Sequence, residues 1–127
     1  MTVLDTDFLV ALLRGNTDAT ELVDRINFPK TTIINAFELY YGAKRSKKPE
    51  ASLSEVISLL DSIEVLEFEK HAALLAAQIQ AELLNSGNPV NILDVLIAGI
   101  VKANNEEVFT RNTDHFKRIH GLSWKQW

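Results

Sequence analysis

The chain has 127 residues, a net charge of −4 and no cysteine, and 46% of its residues are hydrophobic. This length encloses one sizeable core and is too short for two, so residues 1–127 are read as a single domain. Without cysteine there is no disulfide frame, thiolate metal site or cysteine nucleophile, and the mild negative charge excludes a generic, strongly basic nucleic-acid binder.

In chain order, Val3 and Leu4 predict a short strand, and Leu9, Leu12 and Leu13 a helix ending near Gly15. Thr17 is placed to cap a second helix carrying Leu22, Val23 and Ile26. Beyond Pro29, "TTIIN" is a β-branched strand, and "NAFELYYGAKR" returns to helical spacing. Ser52 or Ser54 opens a further helix, "IEVLEF" is a strand, and "KHAALLAAQIQAELLNSG" is a long helix stopped by Gly87 and Pro89. "NILDVLIAGIVKAN" is another helix, "EEVFT" a strand and "LSW" a last short extended piece, while "AKRSKKPE" reads as a charged loop between helices. No apolar run approaches the roughly 20 residues that span a bilayer, and no basic segment followed by an apolar core opens the chain. The expectation is a soluble, unsecreted, cytoplasmic protein with no membrane contact.

Strands that alternate with helices predict right-handed β-α-β units. The expected fold class is α/β, with three α/β/α layers around a mainly parallel central sheet. Ligands of such sheets sit beyond the carboxyl ends of the strands, so polar residues just after each strand are the candidates for chemistry. Asp5 and Asp7 follow the first strand within "VLDTDFLVALL"; Glu38 follows the second; Asp94 opens a strongly apolar helix; Asn112 and Asp114 follow the strand ending at Thr110. A carboxylate flanked by Val3, Leu4, Phe8 and Leu9 must be hydrogen-bonded, paired or bound to a cation to stay ionised.

Helix capping offers a plainer account of some of these acids. Asn35 and Asn91 stand three residues before Glu38 and Asp94, as in a capping box, and Asp7 or Asp114 suits a first helical turn. Capping explains neither Asp5 at a strand end nor the apolar flanks of Asp94. A group of carboxylates without His or Cys suits the hard cations Mg²⁺ or Mn²⁺, which support phosphoryl transfer. His71, His115 and His120 have no mutual metal-ligand spacing; His71 reads as lying on a solvated helix face and His115 and His120 as surface residues near the candidate acids, and Tyr40, Tyr41, Trp124 and Trp127 as core or interface.

"VLDTDFLVALLRG", "TTIINAFELYYGA", "NILDVLIAGIVKANN" and "VFTRNTDHFKRIHGLSW" resemble, in order and spacing, the successive blocks of the PIN-domain family and its small VapC-like toxin ribonucleases. The resemblance implies a Mg²⁺- or Mn²⁺-dependent endoribonuclease with Asp5, Glu38 and Asp94 as the metal-binding acids. Family members often carry a further aspartate where this chain has Asn112; Thr110 and Asn112 would then orient water or metal, and Asp114 would supply the missing charge. Asp7 would cap its helix or stand behind the metal ligands. The resemblance also implies an RNA substrate, a homodimer and a VapB-like antitoxin whose tail blocks the acidic groove. Lys44, Arg45, Lys47 and Lys48, with Arg111, Lys117 and Arg118, are candidates for RNA phosphate contact.

Three other readings compete. "DTD" resembles the DxD of haloacid-dehalogenase-like phosphatases, but "ILDVLIAG" lacks the acidic pair that such enzymes need. A receiver-like signalling domain requires an Asp after its third strand, where "IEVLEFEKH" offers Glu67 and Glu69. The third is a catalytically inactive PIN-like module that binds RNA or protein for regulation, kept open by Asn112.

Overall fold

In the computed structural model, which describes residues 2–127, the strands are β1 (Thr2–Leu4), β2 (Lys30–Thr32), β3 (Glu64–Leu66), β4 (Glu107–Thr110) and β5 (Trp124–Gln126). They lie in the order β3-β2-β1-β4-β5, and every pairing is parallel. Helices α1 (Thr6–Leu13), α2 (Thr17–Val23), α3 (Ile33–Lys44), α4 (Pro49–Asp61), α5 (Lys70–Asn85), α6 (Ile92–Ala103) and α7 (Thr113–Phe116) connect them.

Alternation along the short strands makes the layers, because successive side chains point to opposite faces. Val3 and Val108 pack with Ala72, Ala76 and Ile79 of α5 and Val95 and Ile97 of α6. Leu4 and Phe109 point the other way, into a second core with Phe8 and Leu9 of α1, Leu39 of α3 and Val56 and Leu60 of α4. Each face of the sheet is therefore covered, and the expected three-layer α/β fold is the one observed. Among the described residues, no helix is long and apolar enough to cross a membrane.

The local differences from expectation have identifiable causes. β2 stops at Thr32 because its hydroxyl accepts from the Asn35 main-chain N–H at 3.2 Å, while the Thr32 N–H donates to Asn35 Oδ1 at 3.3 Å. Ile33 and Ile34 therefore open α3 rather than end the strand, and Asn35 is the third helical residue of a capping box, not the cap before Glu38. Asn16, not Thr17, caps α2, accepting from the Ala19 N–H at 3.0 Å, and α2 ends before Ile26. α4 starts at Pro49, whose fixed φ suits a first helical position, and Ser52 instead receives the Ser46 hydroxyl at 2.8 Å. α7 is the short helix whose first turn holds Asp114, as the sequence suggests, and β5 lies two residues beyond "LSW" in its centre.

Candidate active site

β1 sits in the middle of the sheet, with β2 on one side and β4 on the other. Such a reversal of strand order opens a crevice beyond the carboxyl ends of the strands, here between β1 and β4. Asp5 follows β1 as the residue preceding α1, in extended conformation, and its side chain makes no capping bond. It is 5% exposed. Its Oδ2 instead accepts from Thr110 Oγ1 at 2.6 Å, across the crevice, and its Oδ1 accepts from Asn35 Nδ2 at 2.9 Å.

From Asp5 the hydrogen bonds run in both directions. Asn35 Nδ2 also donates to Thr6 Oγ1 at 3.0 Å, and Thr6 Oγ1 donates to Glu38 Oε1 at 2.7 Å. On the other side Thr110 Oγ1 accepts from the Asn112 N–H at 2.8 Å, and Asn112 Nδ2 donates to Asp94 Oδ2 at 3.1 Å. His115 Nδ1 meets the same Asp94 oxygen at 2.5 Å. That contact requires a proton on Nδ1, so His115 donates to Asp94 and cannot also accept from Asn112. Glu38, Asp5 and Asp94, far apart in sequence, thus belong to one hydrogen-bond chain.

Burial pushes the Asp5 carboxyl up to about 6; the Thr110 hydrogen bond opposes the rise, and the negative charges of Asp7 and Asp94 add to it. Glu38 is raised for the same first reason, opposed by Thr6 and reinforced by Asp94 and Asp7. The opposite edge of the sheet shows a different solution: buried Glu106 is neutralised by Lys30 Nζ at 2.7 Å. Among the described residues, neither Asp5 nor Glu38 has a Lys or Arg partner. Oxygen donors with crowded negative charge match a hard divalent cation in chemistry. Their arrangement is open, for among the described residues no three His, Asp or Glu side chains form a ready-made metal cage.

The remaining sequence candidates separate clearly. Thr110 and Asn112 are in the chain of hydrogen bonds. Asp7 caps nothing: its Oδ2 accepts from the Arg111 N–H at 2.9 Å and its Oδ1 from Trp127 Nε1 at 3.2 Å. Asp114 is not in the network, being exposed and paired with Lys117 at 2.9 Å. Arg111 lies over the Trp127 ring, whereas Lys44 and Arg45 are exposed near the end of α3, with Arg45 over Tyr41. Of the residues that join the site without being sequence candidates for it, Asn35 reads from the sequence as a cap, His115 as a surface residue and Trp127 as core or interface, while Thr6 has no reading of its own. Thr6 had a signal, since it lies between the two acids of "DTD". A groove of about 270 Å³ runs beside Glu38, floored by Val10, Leu13, Leu39 and Val56.

Comparison with known proteins decides the family. The PIN domain model matches residues 2–122. The chain belongs to the PIN-domain family. This PIN domain is VapC-like: it is 32% identical to the tRNA(fMet)-specific endonuclease VapC of Shigella flexneri, over 98% of this chain and 96% of that protein. It also superposes on VapC folds from solved complexes. For DNA-bound VapBC from Salmonella typhimurium the TM-score is 0.92 at 31% identity, covering 99% of this chain and 97% of that one. For VapBC2 from Rickettsia felis bound to a promoter DNA fragment it is 0.90 at 28%, covering 99% and 98%.

Proposed function

We propose that this PIN domain is an endoribonuclease toxin that hydrolyses RNA phosphodiester bonds with Mg²⁺ or Mn²⁺ and is silenced by a VapB-like antitoxin. The observation that carries this reading is the hydrogen-bond chain joining Glu38, Asp5 and Asp94 at the crevice, two of whose acids lack a cationic partner among the described residues. Asp5, Glu38 and Asp94 would hold the cation, which when bound activates water and offsets charge on the leaving oxygen. Thr110 and Asn35 hold the two oxygens of Asp5, Thr6 orients Glu38, and Asn112 and His115 fix Asp94. Asn112 therefore has a positive part as a hydrogen-bond donor, which weakens the case for an inactive module.

Mg²⁺ and Mn²⁺ sites of this kind retain several waters and take substrate phosphates as further ligands, so binding to the RNA-free protein is expected to be weak. Calorimetry should detect Mn²⁺ binding to the wild type and at least tenfold weaker binding to Asp94→Asn. Equal binding would remove the metal from this site. For RNA cleavage, tRNA(fMet) is the first substrate to try, given the name of the Shigella relative.

An antitoxin segment would lie in the apolar groove beside Glu38, where it would obstruct the crevice. Phe37 and Tyr41 stack on the outer face of α3 and are 53% and 56% exposed. Exposed aromatic surface of this kind suits association, and we expect a homodimer. Light scattering at high micromolar concentration should give twice the chain mass; the mass of one chain would rule the dimer out.

A further inference from the structure

We propose that Trp127 is a positioning residue that clasps the two sides of the crevice together and so fixes the turn holding Asp5 and Asp94. This rests on the ribonuclease reading for its catalytic consequence, and on hydrogen bonds and packing for the clasp itself.

The end of β4 and the two residues leading to α7 are three consecutive residues with different tasks. Thr110 donates to Asp5, and Asn112 donates to Asp94. Arg111 lies between them, and its guanidinium is used elsewhere. It stacks 3.6 Å above the Trp127 ring, and its Nε donates to the Trp127 main-chain oxygen at 3.2 Å. Face-on contact of this kind is attractive through the quadrupole of the ring. The Arg111 N–H donates to Asp7 Oδ2, and Trp127 Nε1 donates to the other oxygen of the same carboxylate. The Trp127 ring also meets Phe8 edge-on, with centroids 4.9 Å apart.

Trp127 therefore touches α1 through Asp7 and Phe8, and the β4–α7 turn through Arg111. Those two segments carry the opposite walls of the crevice. Trp127 has no hydrogen bond to Asp5, Glu38 or Asp94, so its effect on chemistry must pass through the turn. Small misplacements of reacting groups, on the order of 1 Å, can lower rates about a hundredfold. Loosening residues 110–112 by removing the ring should therefore lower kcat more than it weakens RNA binding.

The test uses the full chain. Amide hydrogen exchange is followed by NMR without metal or RNA, and cleavage kinetics are measured separately. In Trp127→Ala, the Arg111 and Asn112 amides are expected to exchange at least tenfold faster while Val3 and Leu4 keep their protection. The kcat for RNA cleavage should fall at least tenfold, with KM within threefold. Trp127→Phe keeps a ring face for Arg111 and an edge for Phe8 but cannot donate to Asp7, so it should fall between the two. Unchanged exchange at Arg111 and Asn112 overturns the clasp, and so does faster exchange spread evenly over the sheet. Faster local exchange with an unchanged kcat overturns the positioning role. If Trp127→Ala does not fold, Trp127→Phe decides alone, and wild-type exchange and kcat in it overturn the inference. A wild type that cuts no RNA would count against the ribonuclease reading, while the exchange measurement would still decide the clasp.

Discussion

Replacing Asp5 by Asn is expected to abolish RNA cleavage and, in metal-free protein, to make the fold more stable. Both effects come from the same carboxylate. The folded-state pKa of about 6 lies above the ordinary 3.8, so the folded protein holds this proton more tightly than the unfolded chain does. The corresponding stability is fully present below about pH 4 and is lost as pH rises through about 6. At pH 7.5 the ionised group then costs on the order of 3 kcal/mol. Asn keeps the volume and an acceptor for Asn35 but has no charge, so the variant should gain about 1–3 kcal/mol in urea unfolding with chelator present. The gain should vanish near pH 4. Removing a hydrogen-bond partner of a metal ligand lowers affinity or activity by about 10- to 100-fold, and removing the charge of the ligand itself should exceed that. An active Asn variant would sink the nuclease mechanism, whereas an inactive but destabilised one would make Asp5 a structural residue.

The same conflict between burial and charge is what made Asp5 legible in the sequence. An acid between Leu4 and Phe8 is anomalous, and no local hydrogen-bonding device explained it. Alternation of strands and helices likewise needed only periodicity, which is why the layers could be read. Asn35 was harder, because a capping box can be drawn from it to Glu38. The box that forms lies three residues earlier, from Thr32, and it frees the Asn35 amide for Asp5 and Thr6. His115 reads as near the site and Trp127 as core or interface, but what each one bonds to was beyond reach for a different reason. Their partners Asp94 and Asp7 are 21 and 120 residues away, and neither histidine nor tryptophan looks anomalous where it stands. The start of α4 was legible and was missed, since Pro49 is a better helix-opening signal than either serine. Asp114 illustrates the reverse error: an acid at a suitable spacing, which the fold turns outward to Lys117.

The other large effect is expected far from the crevice, at Gly99 in α6. Propensity alone predicts that Gly99→Ala would stabilise the helix by about 1 kcal/mol. The packing predicts the opposite. A Cβ at this position would stand 2.7 Å from the Ala72 main-chain oxygen, 2.8 Å from Ala76 Cβ and 3.1 Å from the Ala76 main-chain nitrogen. Two of these three neighbours are backbone atoms of α5, which cannot turn aside as a flexible side chain can. The helices must separate, and overpacking of this kind costs about 1–3 kcal/mol, occasionally more. Contact should therefore outweigh propensity: Gly99→Ala is expected to lose about 1–2 kcal/mol in chemical denaturation, and Gly99→Val about 3 or more. The consequence reaches the site because Asp94 is in the first turn of the same helix. If α6 moves away from α5, the Asp94 carboxylate moves relative to Asn112 and His115, which approach it from the far side of the crevice. Gly99→Val should then also weaken Mn²⁺ binding, measured at a temperature where the variant is still folded. Stability at or above the wild type in Gly99→Ala would mean that α5 and α6 can slide apart at no cost, and that their close approach does not position Asp94.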